Sequence, residues 1–191
     1  VSGKIEVLGK LVSVAQSTEC PPEKLEDFCW DYSKLAIKIR EKLGVLDDWF
    51  DRWESLSIGE RKRLQLAVAL TSEPEILLID EPTNHVDAST REIILSVLSG
   101  FKGVGILVSH DRLLLNELCT KTFFLHSEAI RAYGASYEIA KSQFEEESQT
   151  KLVHKERLKK DQVNLARSAQ SQVEKIAQGK LNKFYKDNTL M

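Results

Sequence analysis

The apolar positions of this chain follow two alternating rhythms. Residues 76–80, Ile-Leu-Leu-Ile-Asp, are apolar at every position but the last, and residues 104–108, Val-Gly-Ile-Leu-Val, repeat the theme. Short uninterrupted apolar runs of this kind predict strands buried on both faces, as in a parallel sheet. Around them apolar residues recur at helical spacing. Leu64, Leu66, Ala67 and Leu70 predict a helix over 60–72, and Ile93, Ile94, Val97 and Leu98 one over 88–99, with a further helix over 111–119. Two short β-type stretches within 4–15 flank Gly9-Lys10, and strands at 122–126 and 129–133, turned at Ser127-Glu128, predict a hairpin. Strands alternating with helices argue for an α/β domain with a largely parallel sheet.

Two segments depart from this alternation. Residues 20–55 are polar and helical, with Leu35, Ile39, Leu43 and Leu46 at helical spacing and Trp30, Tyr32, Trp49, Phe50 and Trp53 supplying a small core. They predict a helical subdomain at about 20–56. After Gly134 there is no proline, and no glycine until Gly179. Leu158, Leu165, Ala169, Val173 and Ile176 form a thin apolar seam at roughly heptad spacing. This predicts one long exposed helix that needs a partner helix. The expected organisation is an α/β domain over 1–134 and a helical arm over 135–191.

Composition adds limits. The chain has 191 residues, 42% hydrophobic and 29% charged, which suits one folded domain with an appendage. No apolar run approaches the ~18 residues of a membrane span, so no membrane insertion is expected. The first residues show no signal-peptide pattern. Cys20, Cys29 and Cys119 form neither a CxxC pair nor a metal-ligand spacing, which suits a reducing, cytoplasmic setting. Net charge is −2, unevenly spread: residues 150–191 hold 10 Lys+Arg against 4 Asp+Glu. A basic tail on an acidic body fits a polyanionic partner, and equally an ordinary solvated helix; charge alone leaves both open.

The candidate chemistry lies at strand and helix ends. Asp80 and Glu81 close the first buried strand, where open α/β sheets place their ligand sites. Neighbouring strand residues point opposite ways. One carboxylate would face a phosphate-bound Mg²⁺ and the other an attacking water, the two requirements of phosphoryl transfer. An acidic pair at a strand end also serves as a turn or helix cap, but Pro82-Thr83-Asn84-His85-Val86-Asp87 directly after it weighs against that reading. Ser57-Ile58-Gly59-Glu60 fits a capping box. A capped helix start also offers free N–H groups and a positive dipole end to a phosphate, with Gly59 opening the backbone. His110 ends the second strand, between Ser109 and Asp111, placed to bond a terminal phosphate. His85, His126 and His154 are read as structural. Gln16, after Leu11–Ala15, is by itself an ordinary loop residue.

Together these residues resemble the ABC-F family of soluble ATP-binding-cassette ATPases, which carry two ATPase domains on one chain. Leu56–Glu60 resembles the signature loop in its LSxGE form, Ile76–Glu81 the Walker B strand, Thr83–Asp87 the D-loop in its TNH[LV]D form, and Val108–Arg112 the switch-histidine segment. Ala132–Tyr137 resembles the junction to the interdomain linker. The resemblance implies ATP and Mg²⁺ as cofactors, with Asp80 and Gln16 toward the metal. It implies catalytic roles for Glu81 and His110, and nucleotide contacts from Gln16, Ser57, Gly59, Glu60 and Asp87. It also implies a second ABC domain as partner, and a linker arm over 138–191 that reaches ribosomal RNA. Leu158–Gln178 resembles the linkers of the antibiotic-resistance branch. Three departures stand out. Ile58 replaces the first glycine of the usual LSGG pair. No Gly-x4-Gly-Lys-Ser/Thr phosphate loop (Walker A) occurs. No second ATPase domain is present either. The resemblance therefore implies a piece running from just past Walker A into the linker, inactive by itself.

Two other functions remain open. The ATP-binding subunit of a membrane ABC transporter shares these motifs but leaves the Tyr133–Tyr137 junction and the basic helix unexplained. A non-catalytic module would use the tail to bind ribosomes or RNA.

Overall fold

The computed structural model describes residues 8–125 and 129–188; side chains are described as far as Lys180, except those of Ala166, Ala169 and Ile176. The β-type stretch before residue 8, the turn at Ser127-Glu128, His126, and Ala169 and Ile176 of the seam lie outside the described residues. The chain divides into two compact units, Val1–Ala140 and Lys141–Met191.

The first unit is built on a parallel sheet of order β1-β2-β3, formed by β1 (Leu11–Val14), β2 (Ile76–Asp80) and β3 (Val104–Val108). Leu11 lies opposite Ile76, Ile76 opposite Val104, and Asp80 opposite Val108, so β2 and β3 end side by side. The ladder continues one step past β2, where the Glu81 N–H donates to the Val108 carbonyl at 2.8 Å. The α/β expectation is therefore met.

The burial of the strands differs from expectation. In β2, Leu77 and Ile79 are buried, while Ile76 and Leu78 are half-buried. In β3, Val104, Ile106 and Val108 are exposed, and only Leu107 packs against the core. β3 bonds to β2 alone among the described residues, so it is an edge strand whose alternate side chains face outward. A run of apolar residues does not distinguish this from burial on both faces.

Helix α3 (Ile58–Thr71) is the central helix of the unit. Gly59, Lys62 and every residue from Leu64 to Ala69 are buried, so α3 is enclosed nearly all round. Its start carries the predicted capping box. Helices α4 (Ala88–Ser99) and α5 (Arg112–Leu118) follow β2 and β3 and are capped by Asp87 and Asp111.

Residues 20–55 are less helical than their spacing predicts. They form a short α1 (Leu25–Cys29), a ten-residue α2 (Lys34–Leu43) and two single 3₁₀ turns at Asp47–Trp49 and Trp53–Ser55. Ser33 caps α2 by accepting the Ala36 N–H at 3.2 Å, and Gly44 ends it in the left-handed region, φ 59°. Trp49 and Trp53 are core residues as expected, but Trp30, Tyr32 and Leu46 are exposed. Arg40 is buried in α2 and lies over the rings of Phe28, Phe50 and Tyr32 at 4.8, 5.0 and 5.6 Å. Part of the aromatic cluster packs on a guanidinium rather than on aliphatic residues.

Strands β4 (Thr122–Leu125) and β5 (Ile130–Tyr133) pair antiparallel as predicted, and Phe123, Leu125 and Ile130 are exposed. Helix α6 (Tyr137–Asn188) begins in the first unit, where Ala140 is fully buried and the Glu138 N–H donates to Asn116 Oδ1 at 2.9 Å. It runs for 52 residues, about 78 Å at 1.5 Å per residue. Leu152, Val153, Leu158, Val163, Leu165 and Val173 are exposed along it. No helix among the described residues is long and apolar enough to cross a membrane.

Candidate functional site

The acidic pair sits where β2 leaves the sheet. Asp80 is the last strand residue and its side chain is exposed, while Glu81 is buried. Strand alternation is not what separates them. Glu81 adopts a left-handed backbone, φ 45°, uncommon for a residue with a side chain. That twist turns its carboxylate toward the end of β3. There Oε2 accepts the His110 N–H at 3.3 Å and the Ser109 hydroxyl at 3.5 Å. His110 Nε2 lies 3.6 Å from Oε1, with the ring fully exposed. Glu81 and His110, remote in sequence, are thus joined, and one imidazole face is open to a ligand.

The β3 end is braced in turn. Asp111 Oδ1 accepts the Leu113 N–H at 3.0 Å, and Oδ2 accepts the Thr83 hydroxyl at 3.1 Å. Arg91 of α4 pairs with Asp111 Oδ2 at 3.0 Å. Ser109 Oγ accepts the Asp111 N–H at 3.0 Å. One chain of bonds therefore runs from Glu81 through Ser109 and Asp111 to Thr83, in the loop that follows Glu81 itself.

Ser57, Gly59 and Glu60 form a second group. Glu60 Oε2 accepts both the Ser57 N–H and the Ser57 hydroxyl at 2.7 Å, and Ser57 Oγ accepts the Glu60 N–H at 3.3 Å. These bonds from Ser57 hold the Glu60 carboxyl below its usual range. Asp87 is committed to its cap. It accepts the Thr90 N–H at 2.8 Å, the Ser89 hydroxyl at 2.7 Å and the Thr90 hydroxyl at 3.0 Å, and these lower its pKa to about 2. Gly59 joins this group to the α3 start, because a Cβ there would meet Thr90 Oγ1 at 3.1 Å. Its missing side chain is filled by α4 in this state, so the sequence argument that Gly59 leaves room for a phosphate meets a neighbour already in place.

Gln16 lies in the loop after β1, with an exposed side chain. It lines a cavity of about 330 Å³ with Ser17, Thr18, Glu19, Ile58, Lys62, Asn84 and His85. His85 has a left-handed backbone too, φ 60°. The cavity brings the Gln16 loop, the α3 start and the turn after Glu81 together.

Sequence reasoning passed over Lys62. It is 3% exposed, and its ammonium donates to the Gln16 carbonyl at 2.7 Å. Burial pulls its pKa down, and the charges of Asp80 and Glu81 push it back up. Lys62 stands between Arg61 and Arg63, a charged run that conceals it; Gln65, between Leu64 and Leu66, was the available signal.

Comparison with known proteins bears on this geometry. The family model described as ABC transporter matches residues 3–84, which include Gln16, the Ser57–Glu60 loop and the Asp80-Glu81 pair. The chain is 38% identical over 112 residues to ABC transporter F family member 4 of Arabidopsis thaliana, covering 58% of this chain and 16% of that protein. It is 35% identical to the ribosome protection protein VmlR of Bacillus subtilis, covering 56% of this chain and 19% of VmlR. It thus spans less than a fifth of the length of these relatives. Among solved structures it resembles an ATP-binding cassette described as dimeric, post-hydrolysis and bound to ADP and Pi. The TM-score is 0.56 at 21% identity, over 67% of this chain and 64% of that one, a likeness of fold. Residues 3–84 are thus similar to the ABC transporter family, the fold is that of the ABC ATPases, and an ABC-F family member is among the chain's relatives.

Proposed function

We propose that the chain is part of an ABC-F ATPase that binds and hydrolyses ATP to engage and leave the ribosome. The observation that carries this reading is the pairing of buried Glu81 with the Ser109-His110 end of β3, beside exposed Asp80. ABC ATPase domains bind ATP with Mg²⁺. The Asp80 carboxylate fits Mg²⁺, which accepts one or two carboxylates and fills its remaining positions with water and phosphate oxygens. Bound there, Mg²⁺ would neutralise charge on the transferring phosphate. Glu81 then orients a water and takes its proton, held in aim by the Ser109 hydroxyl and the His110 N–H. The exposed His110 imidazole bonds the terminal phosphate. Gln16, which lines the neighbouring cavity, would contact the metal and water.

The Ser57–Glu60 loop, with Asp87 beside it, forms a separate group at a helix start suited to a phosphate. In this reading it meets the nucleotide of a second ABC domain, so two domains close on two nucleotides. No Gly-x4-Gly-Lys-Ser/Thr loop lies within the 191 residues. In this reading the chain supplies the metal, water and signature elements. We assign residues 1–134 to the ATPase domain and 135–191 to a linker arm directed at ribosomal RNA, in the cytoplasm. The length and basic charge of α6, and the name of the relative VmlR, support that assignment over a transporter subunit.

The test is Glu81→Gln in the full-length protein. The variant keeps the hydrogen bonds that shape the site but cannot accept the water's proton. It should co-sediment with ribosomes in ATP and fail to release. Release at the normal rate would remove Glu81 from the mechanism.

A further inference from the structure

After β1 the chain leaves the sheet, and its carbonyls need other partners. From Ala15 to Glu19 every carbonyl accepts a bond from a side chain. Lys62 Nζ donates to Ala15 at 3.4 Å and to Gln16 at 2.7 Å. Gln65 Nε2 donates to Ser17 at 2.8 Å, and Arg61 Nη1 to Thr18 at 3.1 Å. Trp53 Nε1 donates to Glu19 at 3.4 Å. Four of these five carbonyls are held by α3, within two turns of the Ser57-Glu60 capping box. Lys62 and Gln65 are both buried, at 3% and 9% exposure, while the Gln16 side chain stays exposed.

A single such bond satisfies one polar group. Consecutive bonds from one helix to one short segment do more, because they leave that segment no freedom to move without the helix. The charges of Asp80 and Glu81 at the end of β2 also act on the Lys62 ammonium. Its two hydrogen bonds tie the Gln16 loop to the helix start.

We propose that Lys62 and Gln65 are positioning residues that make residues 15–17 move as one body with the N-terminal turns of α3, so that a load on the Ser57–Glu60 loop reaches Gln16. The purpose of this coupling rests on the ATPase reading above: contact between the loop and a partner's nucleotide would be felt at Gln16. Arg61 and Trp53 extend the same grip to Thr18 and Glu19 but also serve other contacts. Arg61 donates to the Trp53 carbonyl at 3.1 Å and the Glu54 carbonyl at 2.7 Å.

Nuclear magnetic resonance on the ¹⁵N-labelled chain tests the coupling without nucleotide. Glu60→Gln alters the capping box and should shift the amide resonances of residues 16–18. In a Lys62→Met background those shifts should at least halve, and order parameters over residues 15–19 should fall from about 0.85 toward about 0.6. Lys62→Arg, which keeps a charged donor, should retain both. Gln65→Met, a neutral change of similar size, should reproduce the loss at Ser17 should Lys62→Met fail to fold. Equal shifts in the wild-type and Lys62→Met backgrounds would overturn the proposal. So would a loss of order that spreads to β2 and α4, the mark of a merely structural role. A failed ribosome-trapping result for Glu81→Gln would sink the ATPase reading and leave these shifts as they are.

Discussion

Asp87 shows how much a single side chain does at the residue scale. Its two oxygens accept three bonds from Ser89 and Thr90, and its pKa falls to about 2. A carboxyl depressed on folding contributes stability that is complete above its unfolded value, near 3.8. That contribution is lost as pH falls through about 2. Asn is an equally good N-cap but carries no charge. The unfolding temperature of Asp87→Asn should therefore converge on that of the wild type between about pH 4 and pH 2, from below. A constant gap across that window would mean that the capping bonds are not made. The neighbouring capping box gives a second expectation. Ser57→Ala removes the acceptor of the Glu60 N–H and should cost about 1 kcal/mol in urea denaturation. An unchanged midpoint would mean that water replaces the cap without loss. Much of the site was readable at this scale, because Asp80, Glu81 and His110 each end an apolar run. Lys62 was not, because a lysine in a helix normally means a solvated face, and only the all-round burial of α3 reverses that.

At the scale of elements, β3 depends on how it is entered. Gly103 precedes it, and a Cβ there would lie 2.4 Å from the Glu75 carbonyl and 2.6 Å from the Phe101 ring. That carbonyl is not free to retreat, because it accepts the Val104 N–H at 2.8 Å and so opens the β2–β3 ladder. Gly103→Ala should cost about 1–3 kcal/mol, the usual range for forcing extra volume into a packed site. Because β3 carries Ser109 and His110 to Glu81, the same variant should also disturb the acidic site, seen as resonance shifts at residues 109–111. Stability within error of the wild type would show that Phe101 and the turn absorb the methyl group. The sequence pattern located β2, β3, α3, α4 and α5 closely, since each has a clear period. It overstated the helix content of residues 20–55, where Asp47–Trp49 and Trp53–Ser55 are single 3₁₀ turns. The aromatics there pack on Arg40 and on Arg61 and Arg63 of α3, an arrangement without a repeat to detect. It also read β3 as a buried strand, because apolar composition reports that a strand wants cover, not that it has it.

At the scale of the whole molecule, charge separates the two units. Residues 150–191 carry a balance of +6 in a chain whose net charge is −2, so the rest is acidic. Every described side chain of α6 from Lys151 to Lys180 is exposed, so the basic groups there are accessible to a partner. Lys155, Arg157, Lys159 and Lys160 fall within two turns of helix, a density of charge that a nucleic-acid backbone would neutralise. If α6 binds ribosomal RNA, affinity must fall as salt rises, because each neutralised phosphate releases a counterion. The slope of log affinity against log salt counts those phosphates. Replacing Lys159 and Lys160 with Gln should flatten the slope by about 1 for each phosphate no longer neutralised, so by about 2 if both lysines touch phosphate. It should weaken binding to different RNA sequences about equally, since backbone contacts position a protein without reading bases. The apolar side chains make the opposite prediction. Leu158, Leu165 and Val173 lie along the same exposed helix, and a second helix packed on them would be insensitive to salt. Leu158→Ala with Leu165→Ala should leave the salt slope unchanged while reducing the helicity or association of α6. Loss of binding in that variant, with the salt slope of the lysine variant unchanged from the wild type, would assign α6 to a protein partner and take the ribosomal RNA away from it.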